Sequence, residues 1–569
     1  LAVDGDRSGK KDDPGITFGD EDKTTTEEPY EFWINNDNDY DGAALCTANL
    51  NKADDLDSGI KDGDDNEIAG YRDLEDFSRI WMKVPPFLDA LKEGKIELGF
   101  KINGAGSIRI YKATDDDGGL GYIFNEAKAS SQTAETALTP TKINSTAQYI
   151  PASFWNEYTE SDETIHFIFE AVDEGVGELQ VAFKMFNGSE AFNDTGIHFE
   201  FKDIKDMYER YEVSAGGSFS GNTVTSINTI TPEQISSNYL RYGSFSYGAK
   251  EKPEDGDYIL FVHGWRMKPF EKDAFAETGY KRLFWQNYKG RYGAFYWPTE
   301  WVTRINIFDG INLDPPAETQ NYNRSERKAR LSSNSLVSLL NSLNSTYPGS
   351  VRVYAHSMGN VVASEALRNY KLGGGSSELM HTYVASQAAE VAHAYDPNNP
   401  EDTQILVESP EAYANYPVTG KHYYDGIKSV AGSIVNFHNR DDDALDGWEL
   451  GQDWKPDIGW TASIILDSWY RTDAILPTNW TELFFPADRY EIYSHIAESQ
   501  SRALGAAVEG GFTVAGEISS GFDLNQSFSD GQDFGNSSED HSAQFRSINM
   551  RRSEYWNRLL FETGLRQAE

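Results

Sequence analysis

At 569 residues the chain is longer than one hydrophobic core organises, and its length predicts more than one domain, two unequal ones included. A hydrophobic content of 39% with 13% aromatics excludes wholesale disorder, and 91 acidic against 50 basic residues (net charge −41) exclude nucleic acid and anionic membrane surfaces as partners, by repulsion. Cys46 is the sole cysteine, which excludes an intramolecular disulfide and a thiolate metal cluster, and no apolar run approaches the roughly 18–20 residues that cross a bilayer, so no transmembrane segment is expected.

The first residues, Leu1-Ala2-Val3-Asp4, carry neither a methionine nor a charged and apolar leader, and read as the start of a mature or trimmed chain. Residues 1–80 are loop-like and rich in Asp, Asn and Gly. In Asp4-Gly5-Asp6-Arg7-Ser8-Gly9-Lys10-Lys11-Asp12, oxygen donors alternate around a glycine, much like the start of an EF-hand loop. Gly15 stands where that loop needs a bidentate Glu. Asp4, Asp6 and Asp12 are accordingly candidate ligands for a structural Ca2+, beside the simpler reading of a solvated acidic surface. Extended segments follow at 95–100, 107–111, 164–170, 179–184 and 197–201, alternating in polarity between Gly, Asn and Asp turns. They predict half-buried antiparallel strands and an acidic, all-β, sandwich-like domain over residues 1–213.

Residues 214–254 read as a linker and lead-in, beginning with the Gly/Ser-rich stretch 214–222. Beyond it the pattern changes. The run Tyr258-Ile259-Leu260-Phe261-Val262 is apolar throughout, as a strand buried on both faces must be. A helical pattern over 270–289, a second apolar run over 292–297, a helix over 325–343 and the strand Val351–Tyr354 follow. Strands alternating with helices predict a mostly parallel sheet.

Directly after that last strand comes Ala355-His356-Ser357-Met358-Gly359, and then a helical run. A serine between strand and helix, with small residues two places before and after it, is the pattern of a nucleophile elbow. The tight turn lifts the hydroxyl above the sheet, and the helix N-terminus behind it favours developing negative charge. Ser357 is therefore the candidate nucleophile. Upstream, Val262-His263-Gly264-Trp265 closes the first apolar run.

On these motifs residues 255–569 resemble an α/β-hydrolase domain of the lipase and esterase kind, with insertions at about 372–425 and 446–535. The resemblance implies an oxyanion hole formed by the backbone N–H groups of Trp265 and Met358, and a catalytic acid and base following Ser357 in that order. For the acid, Asp442 is chosen at the end of the strand-like Ser433–Phe437, with Asp441 as the alternative. For the base, His541 in a polar loop before a final amphipathic helix is preferred over His495, which lies in a helical pattern. Tyr413, Tyr416, Tyr423 and Tyr424, with Trp265 and Trp297, are read as a candidate aromatic pocket under a cap. The expected activity is hydrolysis of carboxylic esters, with no cofactor for catalysis, in a secreted, extracellular or periplasmic setting. The substrate is left open between a lipid, an acylated polysaccharide and a polyester. An amidase or peptidase using the same residues, and a non-catalytic scaffold with a retired hydrolase domain, are the alternatives.

Overall fold

A computed structural model describes residues 1–5, 24–34, 74–113, 123, 137–159, 163–192, 196–215, 235–242, 256–265, 267, 269–299, 306–308, 311–312, 314–390, 392–395, 423–439, 442, 445, 503–506, 516–524, 540–545 and 550–566. Its central element is an eight-stranded sheet in the order Ile235–Tyr242, Glu209–Ala215, Arg291–Tyr296, Tyr258–Val262, Val351–His356, Met380–Ser386, Ala431–His438, Ser520–Asp523. Every neighbouring pair is parallel except the first, which is antiparallel.

The apolar runs have a direct packing cause. Tyr258, Leu260 and Val262 project into one buried cluster, and Ile259 and Phe261 into another on the opposite face. Val351, Val353 and Ala355 likewise oppose Tyr354. A strand covered on both faces has no position left for a solvated side chain. Helices Asp314–Thr346 and Gly359–Leu372 cover the first face with Leu336, Leu339, Leu340, Val361 and Val362. Helices Pro269–Trp285 and Met550–Glu562 cover the second with Phe275, Leu283, Tyr555, Trp556 and Leu559.

From Tyr258–Val262 the chain moves outward to Arg291–Tyr296, whereas from Val351–His356 it moves the other way to Met380–Ser386. These two adjacent central strands therefore mark the topological switch point, where the carboxyl ends of a parallel sheet open a crevice for ligand.

The sheet also begins earlier than composition suggests. Residue 213, the expected domain boundary, lies inside strand Glu209–Ala215, and the segment read as linker, 214–254, contributes strand Ile235–Tyr242. Glu209–Ala215 pairs in parallel with Arg291–Tyr296 on one side and antiparallel with Ile235–Tyr242 on the other. Its alternating sequence matches the half-buried strands before it, so pattern alone does not separate them.

Before this sheet lie two others. The first, Ala2–Val3, Ser78–Lys83, Thr164–Asp173, Ser107–Lys112, is antiparallel. The second runs Tyr30–Trp33, Ile197–Lys202, Gly175–Met185, Ile96–Gly104, Gln148–Tyr149, with Glu190–Phe192 added alongside Gly175–Met185. Ile80, Ile110 and Phe167 from one sheet and Leu98, Phe100 and Phe199 from the other enter a single buried cluster. Phe284 and Trp285, at the end of helix Pro269–Trp285, complete that cluster.

Candidate active site

Strand Val351–His356 delivers the chain to Ser357, whose φ of +54° places it in the left-handed region before helix Gly359–Leu372 begins. For a residue with a Cβ that conformation costs of order 1–3 kcal/mol and persists only where the surroundings enforce it. Here they do. The Ser357 N–H donates to the Ser386 carbonyl at 3.1 Å, and the Ser357 carbonyl accepts from the Asn360 side chain at 2.8 Å and from the Asn360 N–H at 3.1 Å. Asn360 is itself fully buried and held by the Tyr383 hydroxyl at 2.8 Å. Gly359 is needed for close approach: a Cβ there would stand 2.5 Å from the carbonyl oxygens of both Val262 and His263. The elbow is thereby pressed against the end of the neighbouring strand.

That neighbouring strand carries His263-Gly264-Trp265. A Cβ on Gly264 would lie 2.9 Å from the Cβ of Ser357, so the two backbones meet at the elbow. His263 is fully buried. Its Nε2 accepts the Trp297 N–H at 3.1 Å, which leaves the proton on Nδ1 to be donated to the Gly264 carbonyl at 2.8 Å. Burial, reinforced by the nearby Lys272 charge, pushes its pKa well below the usual histidine value. His263 is thus a neutral clamp that orients the Gly264-Trp265 turn. Trp265 packs against the core at that turn, and Met358 occupies the N-cap position of the elbow helix.

Asp442 and His541 come together although they lie far apart in sequence. His541 Nδ1 is 2.7 Å from Asp442 Oδ2. Asp442 is fully buried just beyond strand Ala431–His438, and its Oδ1 accepts the Leu445 N–H at 3.1 Å. Against a carboxylate oxygen, His541 donates from Nδ1, and its Nε2 is left as the ring's acceptor nitrogen. Asp441 and His495 lie outside the described residues.

His541 occupies a six-residue 3-10 segment, Asp540–Phe545, kinked at Ser542, rather than an open loop. Two residues that sequence reasoning did not single out for this task fasten it. Phe545 is fully buried and stacks on Phe275 with centroids 4.5 Å apart. His356, immediately before the serine, donates from Nε2 to the His541 carbonyl at 2.7 Å, their rings 4.9 Å apart. The base-bearing turn is therefore bonded to the residue adjoining Ser357. The motif revealed His356; its bond to residue 541 leaves no trace in sequence.

The aromatic pocket expected at the cap looks different in space. Trp297 is buried, stacked on His263 at 5.3 Å and 4°, and donates from Nε1 to the His263 carbonyl at 2.7 Å. Tyr423 and Tyr424 are buried too, donating to Glu365 at 2.9 Å and Glu390 at 2.5 Å beside Arg330. These three rings are framework, because each hydroxyl or N–H satisfies a buried acceptor. Tyr413 and Tyr416 lie outside the described residues. So do Asp6 and Asp12 of the expected calcium loop, while Asp4 is buried after strand Ala2–Val3. Among the described residues no group of three or more His, Cys, Asp or Glu side chains is arranged to hold a metal ion, and no helix is long and apolar enough to cross a membrane.

A mostly parallel sheet covered by helices, with a left-handed serine at its switch point, has the architecture of the α/β-hydrolase fold. The family model described as an alpha/beta hydrolase of unknown function matches residues 248–392, which span the His263-Gly264 turn and the elbow. No curated protein matches the chain in sequence. Among solved structures, an esterase of Pyrobaculum calidifontis is 9% identical at a TM-score of 0.19, covering 36% of this chain and 62% of its own. An esterase/lipase from an uncultured bacterium is 12% identical at a TM-score of 0.19, with coverages of 34% and 61%. A thioesterase of the prodiginine pathway of Streptomyces coelicolor is 12% identical at 0.17, with 34% and 76%. The chain spans about three fifths of the length of the two esterases. The match to the α/β-hydrolase superfamily thus covers residues 248–392, the part of the chain that holds the first central strands of the sheet and the elbow.

Proposed function

We propose that this protein is a serine hydrolase that cleaves carboxylic esters through an acyl-enzyme. The observation that carries the reading is the 2.7 Å Asp442–His541 bond on a turn tethered, through His356, to the left-handed Ser357. His541 Nε2 takes the Ser357 proton as Oγ attacks the ester carbonyl, and Asp442 fixes the imidazole tautomer and stabilises the imidazolium that forms. The tetrahedral oxyanion is met by the backbone N–H groups of Trp265 and Met358. Collapse expels the alcohol with the proton from His541. Water then repeats the sequence on the acyl-enzyme and releases the acid.

An ester is favoured over an amide because an alkoxide leaves with less assistance than an amine. Turnover of short- and long-chain aryl esters by the wild type and by Ser357→Ala tests this. The expected result is a loss of 10⁴-fold or more in kcat, on the order seen when a triad member is removed. Unchanged ester turnover in Ser357→Ala would overturn the reading. Hydrolysis of anilides but not esters would move the protein to the amidase class.

A further inference from the structure

Gln387 follows strand Met380–Ser386, next to the strand that carries the elbow, and is fully buried. Its φ is +43°. Apart from Asn287 at the end of a helix, Ser357 and Gln387 are the only non-glycine residues with positive φ among those described, and they occupy equivalent ends of adjacent strands. From this left-handed position the Gln387 side chain reaches Asp442, and its Nε2 lies 3.0 Å from Asp442 Oδ2. An ionised carboxylate only accepts, so the amide nitrogen faces it as a donor. Oδ2 is also the oxygen bonded to His541.

A second device holds this pair. Residues 503–506 return from a distant part of the chain and lie across the ends of strands Met380–Ser386 and Ala431–His438. The Gly505 N–H donates to the Ala388 carbonyl at 3.0 Å, and the Gly505 carbonyl accepts the Asn439 N–H at 2.7 Å. The Asn439 side of this strap continues to Asp442, whose N–H donates to the Asn439 carbonyl at 3.3 Å. Gly505 admits no side chain, because a Cβ there would overlap the backbone of Gln387 and Ala388. The backbones bearing Gln387 and Asp442 are thereby fastened to one another independently of the amide–carboxylate bond.

We propose that Gln387 is a positioning residue for the catalytic carboxylate, resting on the triad reading above. It holds Oδ2 in the plane that the His541 ring requires and takes up part of the carboxylate charge that would otherwise face the imidazole. The test compares Gln387→Met, which keeps the reach but has no donor, with Gln387→Gly, which relaxes the positive φ and also has no donor. Both lower kcat for a short-chain aryl ester on the order of a hundredfold, the usual penalty of a small misplacement, while KM stays within about twofold. Both also move the acidic limb of the kcat/KM profile to higher pH by about half a unit to one unit, because more anionic charge then faces His541. A purely structural role predicts otherwise: kcat would follow melting temperature, Gln387→Gly would regain activity, and the pH limb would stay in place. That result overturns the proposal. Asp442→Asn is assayed alongside. If it keeps wild-type turnover, the triad reading fails and takes this inference with it. If it is inactive while Gln387→Met keeps the wild-type kcat and pH profile, the positioning role alone fails.

Discussion

His263 shows how a single buried side chain sets both the shape of the site and its response to pH. The residue is neutral because it is enclosed, and because its two nitrogens are spent as one acceptor and one donor between the Trp297 N–H and the Gly264 carbonyl. Its folded pKa lies well below the 6.5 of an exposed histidine. In acid the unfolded chain therefore takes up a proton that the folded chain refuses, and stability falls as pH drops below about 6.5, by up to about 1.4 kcal/mol per pH unit for this group. Denaturant unfolding of the wild type and of His263→Gln between roughly pH 7 and pH 5 measures it. The variant, though less stable throughout, has the shallower acid slope; equal slopes would show that residue 263 is not the group refusing the proton. The His-Gly pair was legible in sequence as a turn after a strand. The tautomer was not, since it depends on Trp297, read as pocket lining before its ring was seen stacked on His263.

At the scale of elements, the elbow was readable because its constraints are local. A strand, a serine and a helix follow one another directly, and small residues flank the turn where Gly359 meets the Val262 and His263 carbonyls. Asp442 was reached by the same logic, as an acid just past a strand-like run. Three consecutive aspartates look alike in one dimension, and of them Asp442 alone lies among the described residues, bonded to His541. Two elements were misjudged for identifiable reasons. Glu209–Ala215 alternates like the earlier strands, yet its parallel partner is Arg291–Tyr296, so the large sheet starts before the composition changes. The His541 segment is polar and reads as a loop, yet buried Phe545 and the His356 bond wind it into a 3-10 turn. Gln387 carried no signal at all. A glutamine after a strand is ordinary until its φ and its distance to Asp442 are known.

For the whole molecule, the surprise is how much charge lies between the N-terminal sheets and the hydrolase sheet. Helix Pro269–Trp285 faces the hydrolase sheet with Phe275 and Leu283, and closes the N-terminal core with Phe284 and Trp285. At that junction Lys281 and Asp76 form a fully buried pair at 2.7 Å, and Asp76 also accepts the Trp33 indole N–H at 2.8 Å. The Trp285 indole donates to the Glu75 carbonyl at 2.9 Å. Asp76→Ala removes a buried carboxylate from both Lys281 and the Trp33 indole, and is expected to cost about 3–5 kcal/mol of stability. Asp76→Leu, which also removes the carboxylate, should do no better. Thermal unfolding checks both; a loss below about 1 kcal/mol would mean that water reaches the junction and that the pair is only as strong as a surface one. This contact is not legible in the sequence, because a long-range ion pair has no sequence spacing to betray it.

The proposed drive of the Ser357 nucleophile by His541 and Asp442 is measured by the rate at which a fluorophosphonate probe modifies the protein, with the adduct mapped by mass spectrometry. One adduct per chain on Ser357 is expected, formed far more slowly in His541→Ala and in Asp442→Asn and absent in Ser357→Ala. No adduct on the wild type, an adduct on another residue, or equal labelling rates in all three folded proteins that retain Ser357 would contradict it.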